Sequence, residues 1–120
     1  MKRILIVEDN EALLKSLVEV LASDGYSVDT VKTGREAIEK LKSQFYDLIL
    51  LDIQLPDMEG TRLLDLPSVQ RTGTVKIVLT GHPGMEKAVG ALFQGADAYL
   101  MKPILPKELL KLVKRKLAAK

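Results

Sequence analysis

Five short strand-like segments alternate with five segments of helical periodicity, and no other feature of the chain restricts its fold as much. Ile4-Leu5-Ile6-Val7 and Leu48-Ile49-Leu50-Leu51 are apolar throughout, the pattern of strands buried on both faces of a parallel sheet. Residues 26–31 alternate like a shorter strand, and residues 75–79 and 98–101 complete the five. Between them, Leu13, Leu14, Leu17, Val18 and Leu21 recur at helical spacing, with Asn10 placed to cap and Asp24-Gly25 to stop the helix. Thr33-Gly34-Arg35-Glu36 fits a capping box ahead of Ala37, Ile38 and Leu41. A helix over 85–93, with Ala88, Val89 and Leu92 inward, ends before Gly95. Pro106 opens a last helix with Leu109, Leu110, Val113 and Leu117 on its apolar face. The third helix begins at Arg62 and is interrupted at Pro67, so it is short or broken, with a loop through Arg71-Thr72-Gly73. Strict alternation of strand and helix predicts an α/β fold: a doubly wound, five-stranded parallel sheet of order 2-1-3-4-5, flavodoxin-like, with helices on both faces. Residues 1–120 read as one domain.

In such a sheet the functional site lies beyond the carboxyl ends of the strands, at the switch point between strands 1 and 3. The polar residues collect there. Glu8 and Asp9 follow strand 1, Asp52 closes strand 3, Thr80 closes strand 4 and Lys102 closes strand 5. Three carboxylates converging in a small space repel unless a cation intervenes, and one lysine is too little. A hard divalent ion settles the site; Mg²⁺, with Mn²⁺ as a substitute, binds through one or two carboxylates and also coordinates phosphate. A carboxylate can then act as nucleophile toward phosphorus, with the ion, the Lys102 ammonium and the Thr80 hydroxyl stabilising the transferring group. Strand order selects Asp52 as the acceptor, because strand 3 lies between the acids of strand 1 and Thr80 on strand 4.

Composition narrows the class. With 47% hydrophobic and 28% charged residues the chain has enough apolar side chain for a core, which argues against disorder. A net charge of +2 gives no field pointing to nucleic acid, and the absence of cysteine excludes a disulfide framework or thiolate zinc site. The apolar run at residues 4–7 is too short for a secretory signal or membrane span, which makes a cytoplasmic location the default. The run Lys107, Lys111, Lys114, Arg115, Lys116 and Lys120 reads as a solvated helix face, suited to a helix C-terminus.

The chain resembles the receiver domains of two-component response regulators. The matching segments are Ile4-Leu5-Ile6-Val7-Glu8-Asp9-Asn10, Leu51-Asp52-Ile53-Gln54-Leu55-Pro56-Asp57-Met58-Glu59-Gly60, Val78-Leu79-Thr80-Gly81 and Gly95-Ala96-Asp97-Ala98-Tyr99-Leu100-Met101-Lys102-Pro103. The resemblance covers essentially the whole chain. It implies that Asp52 is phosphorylated, that Asp9 and Asp52 bind Mg²⁺ directly with Glu8 acting through water, and that the Gln54 backbone carbonyl is the remaining ligand. It implies that Lys102 pairs with the phosphoryl group, that Thr80 is the switch hydroxyl, that Tyr99 turns inward with it, and that the Lys102-Pro103 bond is cis. It further implies a signalling switch that catalyses its own phosphorylation and dephosphorylation rather than a turnover enzyme. The donor would be a sensor histidine kinase or phosphotransfer protein. The output surface would combine the helix over 85–93, strand 5 and the last helix, acting on an effector domain or downstream protein, or forming a phosphorylation-dependent homodimer. Direct nucleic-acid or membrane binding is not expected.

Three departures stand out. Gly81 follows Thr80 where the family often has alanine, Pro67 disturbs the third helix, and Gln54 and His82 flank the expected phosphoryl position. His82, the single histidine, reads first as a solvated loop residue, ahead of a part in gating water. Asp57 and Glu59 read as loop surface. The stretch Leu79-Thr80-Gly81-His82 is similar to receivers of transcriptional regulators of the nitrogen-regulation type.

Two other classes compete. Phosphatases of the haloacid-dehalogenase kind also form an aspartyl phosphate, but they carry a second acid two residues on, where this chain has Gln54. A flavodoxin-like cofactor site needs a hydroxyl- and glycine-rich loop after strand 1, where Glu8-Asp9 would repel phosphate.

Overall fold

The computed structural model describes residues 1–70, 73–81, 90 and 95–119. Strands β1 (Arg3–Val7), β2 (Ser27–Val31), β3 (Leu48–Asp52), β4 (Val75–Thr80) and β5 (Ala98–Met101) form one parallel sheet of order β2-β1-β3-β4-β5, the order expected. Among the described residues the α-helices are α1 (Glu11–Ser23), α2 (Gly34–Ser43), α3 (Pro67–Gln70) and α4 (Pro106–Ala118). His82, Arg71-Thr72 and, apart from Gly90, the helix expected over 85–93 lie outside the described residues.

The apolar strands divide their side chains between two cores, because successive residues of a strand face opposite sides. Ile4, Ile6, Leu48, Leu50, Ile77 and Leu79 pack with Leu14, Leu17 and Leu21 of α1 and Leu109, Val113 and Leu117 of α4. Leu5, Val7, Ile49, Leu51 and Val78 pack with Ala37 and Leu41 of α2, with Leu63 and Leu64, and with Val69 of α3. Fully burying one such side chain contributes about 2 kcal/mol, so both faces of β1 and β3 are strongly specified.

The helix ends follow their sequence signals. Asn10 Oδ1 accepts the Leu13 N–H at 3.0 Å, and Gly25 adopts φ +92° beyond α1. Thr33 Oγ1 accepts the Glu36 N–H at 3.1 Å. The reciprocal half of the capping box differs from expectation, because the Glu36 carboxylate accepts from the Lys32 N–H and the Thr33 hydroxyl. Pro67 breaks the third helix as expected. A 3₁₀ helix, Gly60–Asp65, gives way to extended Leu66, and Pro67 then starts α3. A residue before proline is pushed out of the α region, and proline itself suits a first helical turn.

The amino edge of the sheet is clamped by a polar network. The Tyr46 ring is buried; its hydroxyl donates to Asp29 Oδ2 at 2.6 Å, and the Arg3 guanidinium lies 5.4 Å from the ring centre. The Arg3 N–H donates to Asp47 Oδ2 at 2.8 Å. Burial, then the Asp29 carboxylate, holds the Tyr46 phenol well above the ordinary tyrosine range. A raised folded-state pKa means the phenol's stabilisation is fully present below the ordinary phenol pKa, about 10, and is lost as pH rises toward the folded value. Tyr46→Phe should therefore cost about 1 kcal/mol at neutral pH, and it should flatten the loss of stability above about pH 10. Urea midpoints for both chains across that range check this; an equally steep alkaline loss in Tyr46→Phe would assign it to other groups.

Candidate functional site

The carboxyl edge of the sheet gathers the charges that its strands cannot bury. The Glu8 N–H donates to Val31 O at 3.0 Å, so β1 keeps its pairing with β2 one residue past Val7. That residue's carboxylate is fully buried. Glu8 Oε2 accepts the Asn10 N–H at 3.0 Å, and Asp9 between them is exposed. Asp52, at the end of β3, is 7% exposed. Its Oδ1 accepts the Gln54 N–H at 3.2 Å and its Oδ2 accepts from Lys102 Nζ at 3.1 Å. Lys102 reaches it from the carboxyl end of β5, at the same edge, where its N–H donates to Thr80 O at 2.7 Å and its bond to Pro103 is cis. Lys102 Nζ also lies 2.6 Å from Glu8 Oε1.

Thr80 is buried at the end of β4, one residue past the register partner of Asp52. Tyr99 pairs in register with Val78 and packs, half-buried, against the core that contains it. Alternation along β4 places Thr80 on the same face as Val78, and therefore on the face of Tyr99.

The electrostatics are unbalanced without a further cation. Carboxylate oxygens of Glu8, Asp9 and Asp52 lie within 4.8 Å of one another. Each such pair repels by about 3 kcal/mol at an effective dielectric near 20. One ammonium against three carboxylates leaves two negative charges, which one divalent ion would neutralise. Burial pushes the Glu8 carboxyl up, against the pull of Lys102 and the Asn10 N–H, and Asp52 adds to the rise. Burial disfavours the Lys102 ammonium, but Glu8 and Asp52 outweigh it and hold the group above the ordinary lysine range. Glu8 Oε1 is buried and has the Lys102 ammonium 2.6 Å away, so this one cation is shared between Glu8 and Asp52. The hard oxygen donors and the charge deficit both fit Mg²⁺.

Two contacts escaped the sequence reading. Gly60 approaches so closely that a Cβ there would overlap the Asp52 carbonyl oxygen, and the Gly60 N–H donates to Ile53 O at 2.6 Å. Asp57 is on the surface, as expected, but its carboxylate accepts from the Gly34 N–H at 2.8 Å and the Arg35 N–H at 3.0 Å. The Gly34 N–H, then that of Arg35, holds the Asp57 carboxyl below its usual range. An aspartate after proline in an exposed turn signals a cap of some kind; partners more than twenty residues earlier give no local signal.

The model for the response regulator receiver domain matches residues 4–114. The cell cycle response regulator CtrA of Brucella ovis is 38% identical over 108 residues, covering 90% of this chain and 47% of that protein, so this chain spans about half the length of such relatives. A CheY-like response regulator receiver domain protein from Methanospirillum hungatei superposes with a TM-score of 0.92 at 45% identity, covering 99% of this chain and 95% of that one. The beryllofluoride-activated NtrC4 receiver domain, a dimer, does so with a TM-score of 0.91 at 38% identity, covering 99% and 98%.

Proposed function

The chain belongs to the response regulator receiver family, and on that premise we propose that its Asp52 accepts the phosphoryl group, with Glu8, Asp9, Asp52 and the Gln54 carbonyl as the magnesium site. The observation that carries this reading is the convergence of three carboxylates and Lys102 on the end of β3.

A carboxylate oxygen of Asp52 attacks phosphorus while the bond from phosphorus to the donor breaks, and the donor leaves with that electron pair. The donor is a phosphohistidine of a sensor kinase or phosphotransfer protein, or a small acyl phosphate. Bound Mg²⁺ supplies charge neutralisation at the phosphoryl oxygens, and Mn²⁺ can replace it. The Gln54 N–H holds one Asp52 oxygen in place, and Lys102, already 3.1 Å from the other, meets the incoming negative charge. The product adds about −1.5 to −2 charge beside β4. Thr80 turns its hydroxyl toward that charge, and Tyr99, on the same face, follows into the space vacated.

The shifted surface comprises β5, α4 and the segment before them. It acts on an effector domain or downstream protein, and transcriptional control is the output we favour. A phosphorylation-dependent homodimer is a second output, supported by likeness to the NtrC4 dimer. Residues 107–116 present their cations to solvent, with Lys114 3.6 Å from Asp24, which supports a solvated face over a nucleic-acid site. Among the described residues no helix is long and apolar enough to cross a membrane. The reading places the protein in the cytoplasm with its kinase.

Incubation with acetyl phosphate and Mg²⁺ should add one phosphoryl group, which maps to the peptide containing Asp52 and is absent when EDTA is present. Label on another residue would overturn the assignment. Continuous hydrolysis of many phosphate esters would favour the phosphatase reading, which needs a second acid where Gln54 stands.

A further inference from the structure

Resting on the phosphoacceptor reading, we infer that Asp57 is a positioning residue: it ties the loop after Asp52 to the N-terminus of α2 and so holds the Gln54 backbone in place for the cation site. Residues 53–60 form a miniature antiparallel ladder. The Gly60 N–H donates to Ile53 O at 2.6 Å, Gln54 bridges Glu59, and the Leu55 N–H donates to Met58 O at 3.1 Å. Pro56 and Asp57 sit at its tip, where proline fixes one backbone angle. The base of the ladder is the site itself, because the Gln54 N–H binds Asp52 Oδ1.

A ladder this short transmits any displacement of its tip to its base, so what anchors the tip matters. The first N–H groups of a helix lack partners within the helix. In α2, Thr33 serves the Glu36 N–H, and the two ahead of it, on Gly34 and Arg35, are served by the two oxygens of Asp57. The carboxylate also meets the positive end of the helix dipole. Met58 locks the same junction sterically, since its side chain fills the space a Cβ on Gly34 would need. The α2 N-terminus is thus held by two separate caps. Thr33 is local to the helix, whereas the hydrogen bonds of Asp57 join it to the metal loop.

That separation provides the test. Calorimetric titration with Mg²⁺, and labelling by acetyl phosphate at limiting and saturating Mg²⁺, are measured on the full chain and on Asp57→Ala, Asp57→Asn and Thr33→Ala. Asp57→Ala should raise the Mg²⁺ Kd about tenfold, the usual effect of losing an outer partner of a metal site. It should slow labelling at limiting Mg²⁺ and leave the rate at saturation within about twofold of native. Asp57→Asn keeps one acceptor oxygen and should fall between. Thr33→Ala weakens the same helix end but should leave the Kd unchanged. An unchanged Kd in Asp57→Ala, or an equal rise in Thr33→Ala, overturns the tether while the native chain still labels. A native chain that neither binds Mg²⁺ nor takes label overturns the phosphoacceptor reading itself.

Discussion

An Asp52→Asn chain takes up no measurable phosphoryl group under conditions that label the native chain, a loss of at least about 1000-fold. The amide has no anionic oxygen to attack phosphorus, although its shape and its Gln54 N–H contact can persist. The fold should survive, because Lys102 keeps Glu8 as its partner at 2.6 Å. Magnesium binding should weaken about tenfold, since one of three carboxylates is gone. Intact-mass measurement and calorimetry read the two effects separately. Undiminished labelling would mean that another carboxylate accepts the group, and Asp9 would be the first to examine.

Lys102→Ala should separate rate from metal affinity in the opposite sense. The ammonium is where the transferring charge has to be met, so labelling should slow about 100-fold. The same ammonium lies among the carboxylates that would hold Mg²⁺ and repels a second cation, so magnesium should bind several-fold more tightly without it. Without metal the variant should lose about 3 kcal/mol, because buried Glu8 and Asp52 are left without their counter-charge. Added magnesium should restore much of that loss by mass action. Urea midpoints with and without magnesium, set beside labelling rates, test all of this. A parallel loss of rate and metal affinity would show that Lys102 builds the site rather than meeting charge within it.

Much of the architecture was legible because its signals are local. The apolar runs that became β1 and β3, the Asn10 and Gly25 helix ends and the break at Pro67 each depend on a few neighbouring residues. The site was legible for a related reason: in a sheet of order 2-1-3-4-5 the strand order alone brings Glu8, Asp9, Asp52 and Lys102 together. Contacts between elements that meet only in the fold were not legible. The register of the loop after Asp52 against α2 decides that Asp57 caps a distant helix, and nothing in the turn's own residues fixes that register. The capping box held at Thr33, whose side chain accepts the Glu36 N–H, and differed only in its reciprocal half, where Glu36 accepts the Lys32 N–H.

The close approach of Gly60 to the Asp52 carbonyl reaches beyond the folded molecule to the routes by which such a chain can vary. Every point change in a glycine codon that alters the residue brings in a Cβ. No single mutational step at this position can therefore be tried without pushing on the backbone of Asp52. Drift and selection can adjust the loop around Asp52 residue by residue, but this one position stays closed until the strand end itself has moved.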